Sequence, residues 1–295
     1  VAPLMPWDAI ICTSNSVYET VSKIINAQKE FLSHRYNTKI DFLPKLPILP
    51  LGINCNEFDY SDEYINQSRK ELGINENDIV ISYVGRLSFH AKAHHIPMYL
   101  ALENCAKLLG SDKKIHLIQT GWFANEFIEN EFKSDSRSIC PSVNCIFLNG
   151  KDQNNKKQTL AACDIFISLS DNIQETYGLT PLEAMASGKP VIVSDWNGYR
   201  TSVRDGEDGF LIKSLSLQKG HGEQYAYDYM LGKLSYDMYI GSTVQNVAID
   251  VQDCINKLMI LINDKEKRKK IGLQGKKRAN DDFSWNTILS QYEEL

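Results

Sequence analysis

Gln174-Glu175-Thr176-Tyr177-Gly178-Leu179-Thr180-Pro181-Leu182-Glu183-Ala184-Met185-Ala186-Ser187-Gly188-Lys189-Pro190 decides how this chain is read. Two carboxylates, Glu175 and Glu183, stand on either side of a glycine turn and a helix start. Thr180 is a good N-cap, Pro181 suits the first helical position, and Glu183 follows three residues after the cap, so the three make a capping box. Gly188 and Pro190 stop the helix. A strand-like run, Asp164-Ile165-Phe166-Ile167-Ser168-Leu169, leads in, and Pro190-Val191-Ile192-Val193-Ser194 leads out. Strand, glycine loop, short helix and strand form a parallel βαβ unit, which binds ligands at the carboxyl ends of its strands. Loop amides ahead of a helix N-terminus attract an anion, and the flanking carboxylates can accept hydrogen bonds from hydroxyl groups. A phosphate flanked by sugar hydroxyls has both features. The capping box alone has a plainer reading, since many helices own one without any ligand.

The same alternation extends upstream. Ile79–Val84, Ile115–Thr120 (ended by Gly121) and Cys145–Asn149 (ended by Gly150) read as buried strands. Helices over about 96–109, 124–132 and 157–162 separate them. Strands alternating with helices of this length predict an α/β fold, a doubly wound parallel sheet of Rossmann type. Trp7–Ser14 reads as a buried strand entering a helix that Ser14 or Asn15 caps and that ends near His34. One strand and one helix cannot make a core. Residues 1–50 therefore read as the tail of another domain plus a linker, Leu43–Gly52, whose three prolines favour extended chain. Residues 51–282 read as the second domain, and 283–295 as a terminal helix with Ser284 as cap candidate. Residues 214–246, rich in tyrosine and glycine, break the rhythm. They read as an insertion on the domain surface or as an aromatic contact for a partner or a sugar. Beyond them, Val251, Ile255, Leu258 and Ile262 share one helical face.

Length suggests about two domains. The net charge of −5 argues against a nucleic-acid binder. Lys265–Lys270 and Lys276–Arg278 are basic runs; they read as a solvated helix face, with peripheral contact to an anionic membrane as the alternative. No apolar stretch approaches the ~18 residues of a membrane span. Val1–Pro6 has neither the basic start nor the apolar core of a secretory leader. The seven cysteines are scattered and read as reduced thiols, so a cytoplasmic protein is expected.

Taken in order, the motifs resemble the signature of the GT-B glycosyltransferases of family 4. The shared features are a Glu, seven residues and a second Glu around a Tyr-Gly-Leu turn, then Glu183-Ala184-Met185-Ala186. Val84-Gly85-Arg86-Leu87 followed by Lys92 is similar to an earlier landmark of that family, and Asp205-Gly206-Glu207-Asp208-Gly209-Phe210-Leu211 to a later one. The resemblance covers roughly residues 8–213 and returns at the C-terminus. It implies a retaining transferase that moves a sugar from a UDP- or GDP-sugar to a sugar, glycan or lipid acceptor. It implies no cofactor and no metal, with Arg86 and Lys92 meeting the diphosphate. It also puts the acceptor and a supporting histidine in an N-terminal domain. His34 falls too late in the chain to be that histidine, so this chain is expected to hold the donor half of a site.

Placement suggests the remaining roles. Glu175 faces the donor sugar and, with Arg86 and Lys92, forms the catalytic set. Glu183 accepts from ribose hydroxyls. The amides near Gly178, Leu179 and Thr180 meet phosphate or sugar, Gly85 and Gly121 line the cleft, and the base lies near Gly150 and Lys151. His90, His94 and His95 lack a fourth metal ligand; they read as helix-surface histidines near an anion. Two alternatives stay open: an epimerase or phosphorylase on the same fold, and a non-catalytic nucleotide-sugar binding module.

Overall fold

The computed structural model describes residues 4–295 other than 6, 41–43, 111–112 and 219. Val1–Pro3 and Pro6 of the N-terminal stretch, Leu43 of the predicted linker and Lys219 of the predicted insertion lie outside the described residues.

The apolar runs become the parallel strands β1 (Ile79–Val84), β2 (Ile115–Gly121), β3 (Asn144–Asn149), β4 (Ile165–Ser168), β5 (Val191–Ser194) and β6 (Gly209–Ile212). Their order is β3-β2-β1-β4-β5-β6, the doubly wound arrangement expected. Strands β1, β2, β4 and β5 are buried along their whole length, which explains their largely apolar character, and the polar residues among them, such as His116 and Gln119, are hydrogen-bonded. The direction of winding reverses between β1 and β4, and a crevice opens there beyond their carboxyl ends.

The helices, in chain order, are α1 (Asn15–Tyr36), α2 (Asp62–Glu71), α3 (His95–Leu109), α4 (Glu126–Ile139), α5 (Gln153–Ala162), α6 (Leu179–Ala186), α7 (Tyr199–Ser202), α8 (Glu223–Met230), α9 (Tyr236–Val244), α10 (Val251–Asn263), α11 (Lys265–Phe283) and α12 (Trp285–Glu293). Alternate residues of each strand serve opposite layers. Ile165 and Ile167 join Leu102 of α3 and Leu258 of α10, while Phe166 joins Leu182 of α6 and Ala279 of α11.

Residues 7–14 differ from the expected buried strand. Among the described residues of this stretch only Cys12 and Ser14 are buried, and Trp7 is 74% exposed. The segment pairs through two isolated parallel bridges, Ala9 with Lys45 and Cys12 with Ile48. The linker supplies hydrogen bonds along one edge, while Trp7 and Ile11 stay in solvent. The 214–246 segment packs on the surface as β7 (Ser214–Leu215), α8 and α9, with β7 antiparallel to β8 (Ala248–Ile249). Stacked rings of Tyr229 and Tyr239, 5.3 Å apart, join its helices, and Ile240 and Val244 are its buried residues.

The helix that carries the diagnostic motif is held from behind by α11. Asp208, fully buried, accepts from the Arg204 N–H and Nε at 2.7 and 2.6 Å and from Arg278 Nη1 at 3.2 Å. Arg278 also donates to the carbonyls of Ser202 and Thr201. Arg278→Ala leaves this carboxylate short of a charged partner. It is expected to lower unfolding free energy by about 1.5–3 kcal/mol in urea titration; an unchanged midpoint would show that the contact is worth nothing.

Candidate functional site

Three strand ends form the floor. β1, β2 and β3 finish at Gly85, Gly121 and Gly150, and the Gly85 and Gly150 amides donate to Thr120 O (3.0 Å) and Gly121 O (2.8 Å). The backbones lie so close that a Cβ on Gly121 would sit 2.0 Å from Gly85 O, and one on Gly150 would sit 2.7 Å from Gly121 Cα. Side chains are thus excluded there for steric reasons, and bare backbone faces an open cleft of about 510 Å³. Gly85, Arg86, Lys92, Gly150, Glu175, Gly178, Leu179 and Thr180 all line it. Gly121 and Lys151, both expected at the cleft, stand outside that lining: Gly121 is buried beneath Gly85 and Gly150, and Lys151 is exposed. Trp122, Gln153 and Lys156 line the cleft without having been singled out in the sequence. Each is an ordinary polar or aromatic residue beyond a strand end, with no local pattern to mark it.

The helix start departs from the capping box. α6 begins at Leu179 with Gly178, at φ +93°, as its N-cap. Thr180 is therefore the second helical residue and caps nothing. The reason is the glycine: its left-handed backbone turns the chain into the helix before Thr180 is reached. Gly178 is also required by space, because a Cβ there would lie 2.3 Å from the Tyr199 ring. The Leu179 and Thr180 N–H groups belong to the first turn and have no intrahelical acceptor. They open towards the cleft with the positive end of the helix dipole.

Across the crevice, Lys92 Nζ donates to Glu175 Oε2. The same oxygen accepts from Tyr199 Oη at 3.1 Å, and Ser168 Oγ lies 2.7 Å from that hydroxyl. Tyr199 is wholly buried, so its ring supports Gly178 and its hydroxyl supports Glu175. Tyr83 Oη donates to the Arg86 carbonyl at 3.1 Å, and the Arg86 guanidinium donates through Nη2 to Ala91 O at 2.8 Å. Its remaining guanidinium donors are available to a ligand.

The loop carrying both cations is gripped by three consecutive buried polar residues. Ser170 Oγ donates to Lys92 O (2.9 Å) and Asn172 Nδ2 to His90 O (2.8 Å), while the Asp171 carboxylate accepts from His94 N. Burial pushes the Asp171 carboxyl up to about 7, with the His94 amide opposing. The histidines differ from the expected surface set. His94 caps α3, accepting from Ile96 N. His95 is buried, with Nε2 2.7 Å from Asp135 Oδ2 and its ring 4.0 Å from that of Phe132. Burial lowers its pKa, and Asp135 works against that. Among the described residues no group of three His, Cys, Asp or Glu side chains converges as a metal site.

Glu183 lies behind Lys156, whose Nζ donates to Glu183 Oε1 at 2.7 Å. Burial raises the Glu183 carboxyl above the usual range, and Lys156 partly counters it. Glu183 Oε2 is buried with no partner among the described residues. The loop between the two glutamates is anchored to the N-terminal part of the chain. Ser14 Oγ donates to Thr176 O at 2.6 Å and Tyr177 Oη to Leu51 O at 2.6 Å.

The family model described as Glycosyl transferases group 1 matches residues 65–219. Among curated proteins, the chain is 26% identical over 288 residues to alpha-1,3/1,6-mannosyltransferase ALG2 of Dictyostelium discoideum, covering 88% of this chain and 59% of that protein. It is 29% identical over 180 residues to D-inositol 3-phosphate glycosyltransferase of Geodermatophilus obscurus, covering 56% of this chain and 36% of that one. The chain thus spans less than two thirds of the length of these relatives. Among solved structures, Anabaena HepE in complex with UDP and glucose superimposes with a TM-score of 0.66 at 21% identity, covering 97% of this chain and 62% of that one. The C-terminal domain of LpcC, a glycosyl transferase group 1 family protein from Francisella tularensis, does so with 0.56 at 19%, covering 79% of this chain and all of that one.

Tyr199→Phe keeps the ring against Gly178 and removes the hydroxyl between Glu175 and Ser168. Chemical denaturation is expected to show a loss of about 1–3 kcal/mol, and an unaltered midpoint would mean the hydroxyl is dispensable. Asp171 adds a pH dependence. Its folded pKa of about 7 lies above its unfolded value of roughly 3.9. The stability linked to its proton is therefore complete below pH ~4 and lost as pH rises towards 7. Asp171→Asn should consequently gain Tm relative to the unaltered chain between pH 5 and pH 8; a constant difference would contradict the buried neutral carboxyl.

Proposed function

The chain belongs to the group 1 glycosyltransferases, and from that membership we propose that its cleft takes the diphosphate of a nucleotide-sugar, whose sugar the protein transfers to an acceptor. The observation that carries this reading is the meeting of Arg86, Lys92 and the N-terminus of α6 in one cleft at the switch point of the sheet. As the glycosidic bond breaks, negative charge grows on the departing diphosphate. Cations and amides already fixed in place stabilise that charge without having to reorganise. Arg86 can hold two phosphate oxygens at once through its planar fork. On this reading the transfer is metal-independent and, as in the family resembled, retains the anomeric configuration.

The other roles follow from reach. Glu175, held from below by Tyr199, presents its carboxylate to the sugar hydroxyls. Lys92 is shared between that carboxylate and the arriving phosphate. A ribose hydroxyl supplies the partner that Glu183 Oε2 lacks. The base lies over Gly150 and Gln153. HepE was solved with UDP and glucose, which makes UDP and UDP-glucose the first probes, followed by GDP. Residues 51–282 form the donor lobe on this proposal, with 1–50 and 283–295 belonging to the lobe that presents the acceptor. The seven free cysteines fit a reducing compartment such as the cytoplasm.

Calorimetric titration with UDP and GDP tests the reading. Arg86→Ala is expected to weaken nucleotide binding at least about tenfold, near 1.4 kcal/mol, with little change in Tm. Lys92→Ala should cost both affinity and stability, since it strands the Glu175 carboxylate. Failure of both nucleotides to bind would overturn the proposal. If Glu183→Ala shifts only Tm, its ribose role falls while the rest stands.

A further inference from the structure

Cys140 follows the last residue of α4, and Cys145 lies in β3. The turn between them is closed by the Val143 N–H donating to Cys140 O at 3.1 Å. It brings the two sulfurs together: the Sγ atoms stand 3.7 Å apart, at van der Waals contact. A disulfide needs them at about 2.05 Å. Closing that gap takes small rotations of two side chains. One of them is carried by Cys140, whose backbone has already left the helix at φ −127° and ψ 57°.

The two thiols differ in access. Cys140 is wholly buried, with its Sγ donating to Ser136 O at 3.3 Å. The bonded Cys145 sulfur and burial push the Cys140 thiol up, so it stays protonated. Cys145 is half-buried, on a strand that forms the edge of the sheet. The other five cysteines, like Cys140, are buried. A small oxidant therefore meets Cys145 first, and the sulfur already touching it is that of Cys140.

We infer that Cys145 and Cys140 are an oxidation site: a hydroperoxide oxidises Cys145, and Cys140 captures the product as a reversible disulfide. The Cys145 thiolate, the reactive form of a thiol, attacks one peroxide oxygen. The O–O bond breaks and leaves Cys145 as a sulfenic acid. The departing hydroxide takes up the proton that Cys145 gave up on ionising and becomes water. The Cys140 sulfur then attacks the Cys145 sulfur. The S–O bond breaks, and the Cys140 proton leaves with the hydroxide as a second water. In sum, two thiols lose two electrons and two protons, and one hydrogen peroxide is reduced to two waters. The contact between the sulfurs gives the step its use. A sulfenic acid with no thiol beside it goes on to sulfinic and sulfonic acids, which thiols do not reverse. In a reducing compartment the pair returns to the dithiol. This chemistry is independent of what the cleft binds.

Treatment of the 295-residue chain with hydrogen peroxide, then alkylation under denaturing conditions, trypsin digestion and mass spectrometry, tests it. Arg137 and Lys151 bracket both cysteines, which therefore fall on one tryptic peptide, residues 138–151. That peptide is expected to lose two hydrogens and both alkylation sites, and to regain them with dithiothreitol. The other five cysteines are expected to stay alkylatable. In Cys140→Ala, Cys145 should gain two or three oxygens that dithiothreitol does not remove. In Cys145→Ala, Cys140 should stay unmodified. The inference is overturned if the unaltered chain keeps both thiols, if its Cys145 becomes a sulfinic acid, or if a disulfide-linked dimer forms instead. It is equally overturned if Cys145 in Cys140→Ala stays reduced, or if Cys140 in Cys145→Ala is oxidised. The peptide from the unaltered chain decides the disulfide by itself, so a variant that fails to fold does not remove the test.

Discussion

The contact between Lys92 and Glu175 is the constraint on which the site depends. It crosses the crevice between β1 and β4, where the sheet reverses its winding and no strand hydrogen bonds join the two loops. An ion pair in water is worth little. This one is largely withdrawn from solvent, and its carboxylate rests on a buried tyrosine hydroxyl. Removing either partner would leave a charge that the surroundings cannot easily accept. Together with the contacts of Ser170, Asp171 and Asn172 to the same loop, the pair fixes the spacing of the two loops, and with it the width of the cleft.

Around that contact the chain uses two economical devices. One is bare backbone: Gly85 and Gly150 bring main chain to the floor of the cleft over the buried Gly121, where side chains would collide. The other is a short run of polar residues, Ser170 to Asn172, buried where apolar ones would normally sit. Each satisfies a group on the loop that bears the cations, so the loop is positioned before any ligand arrives. Such advance ordering lets fixed charges act on a transition state without the cost of rearrangement. The supports come from β4, α7 and the N-terminal segment, elements distant in sequence.

Much of this was legible in one dimension. Parallel strands covered on both faces are predominantly apolar, and glycines at their ends mark close backbone approach; both are local signals. The Thr180–Glu183 pattern misled because a capping box is judged from four residues, while the true cap was decided by Gly178 and by the tyrosine ring packed on it. The histidines misled for a similar reason. Spacing shows that His94 and His95 are adjacent to a helix start, but not that Asp135 and Phe132 wait on another helix to bury one of them. Trp122, Gln153 and Lys156 carried no signal, since a residue beyond a strand end looks the same whether or not it faces a cleft.

By itself the sequence determined the alternation of strand and helix, the parallel sheet that follows from it, and the motifs that name the family. These rest on periodicity, on backbone freedom and on residue types at short spacing, all of which act between near neighbours. The tertiary structure alone decided that Lys92 reaches Glu175, that Tyr199 stands beneath both Glu175 and Gly178, and that Lys156 screens Glu183. Those facts depend on how distant segments meet once the sheet has twisted and the helices have packed, and no spacing along the chain encodes them separately.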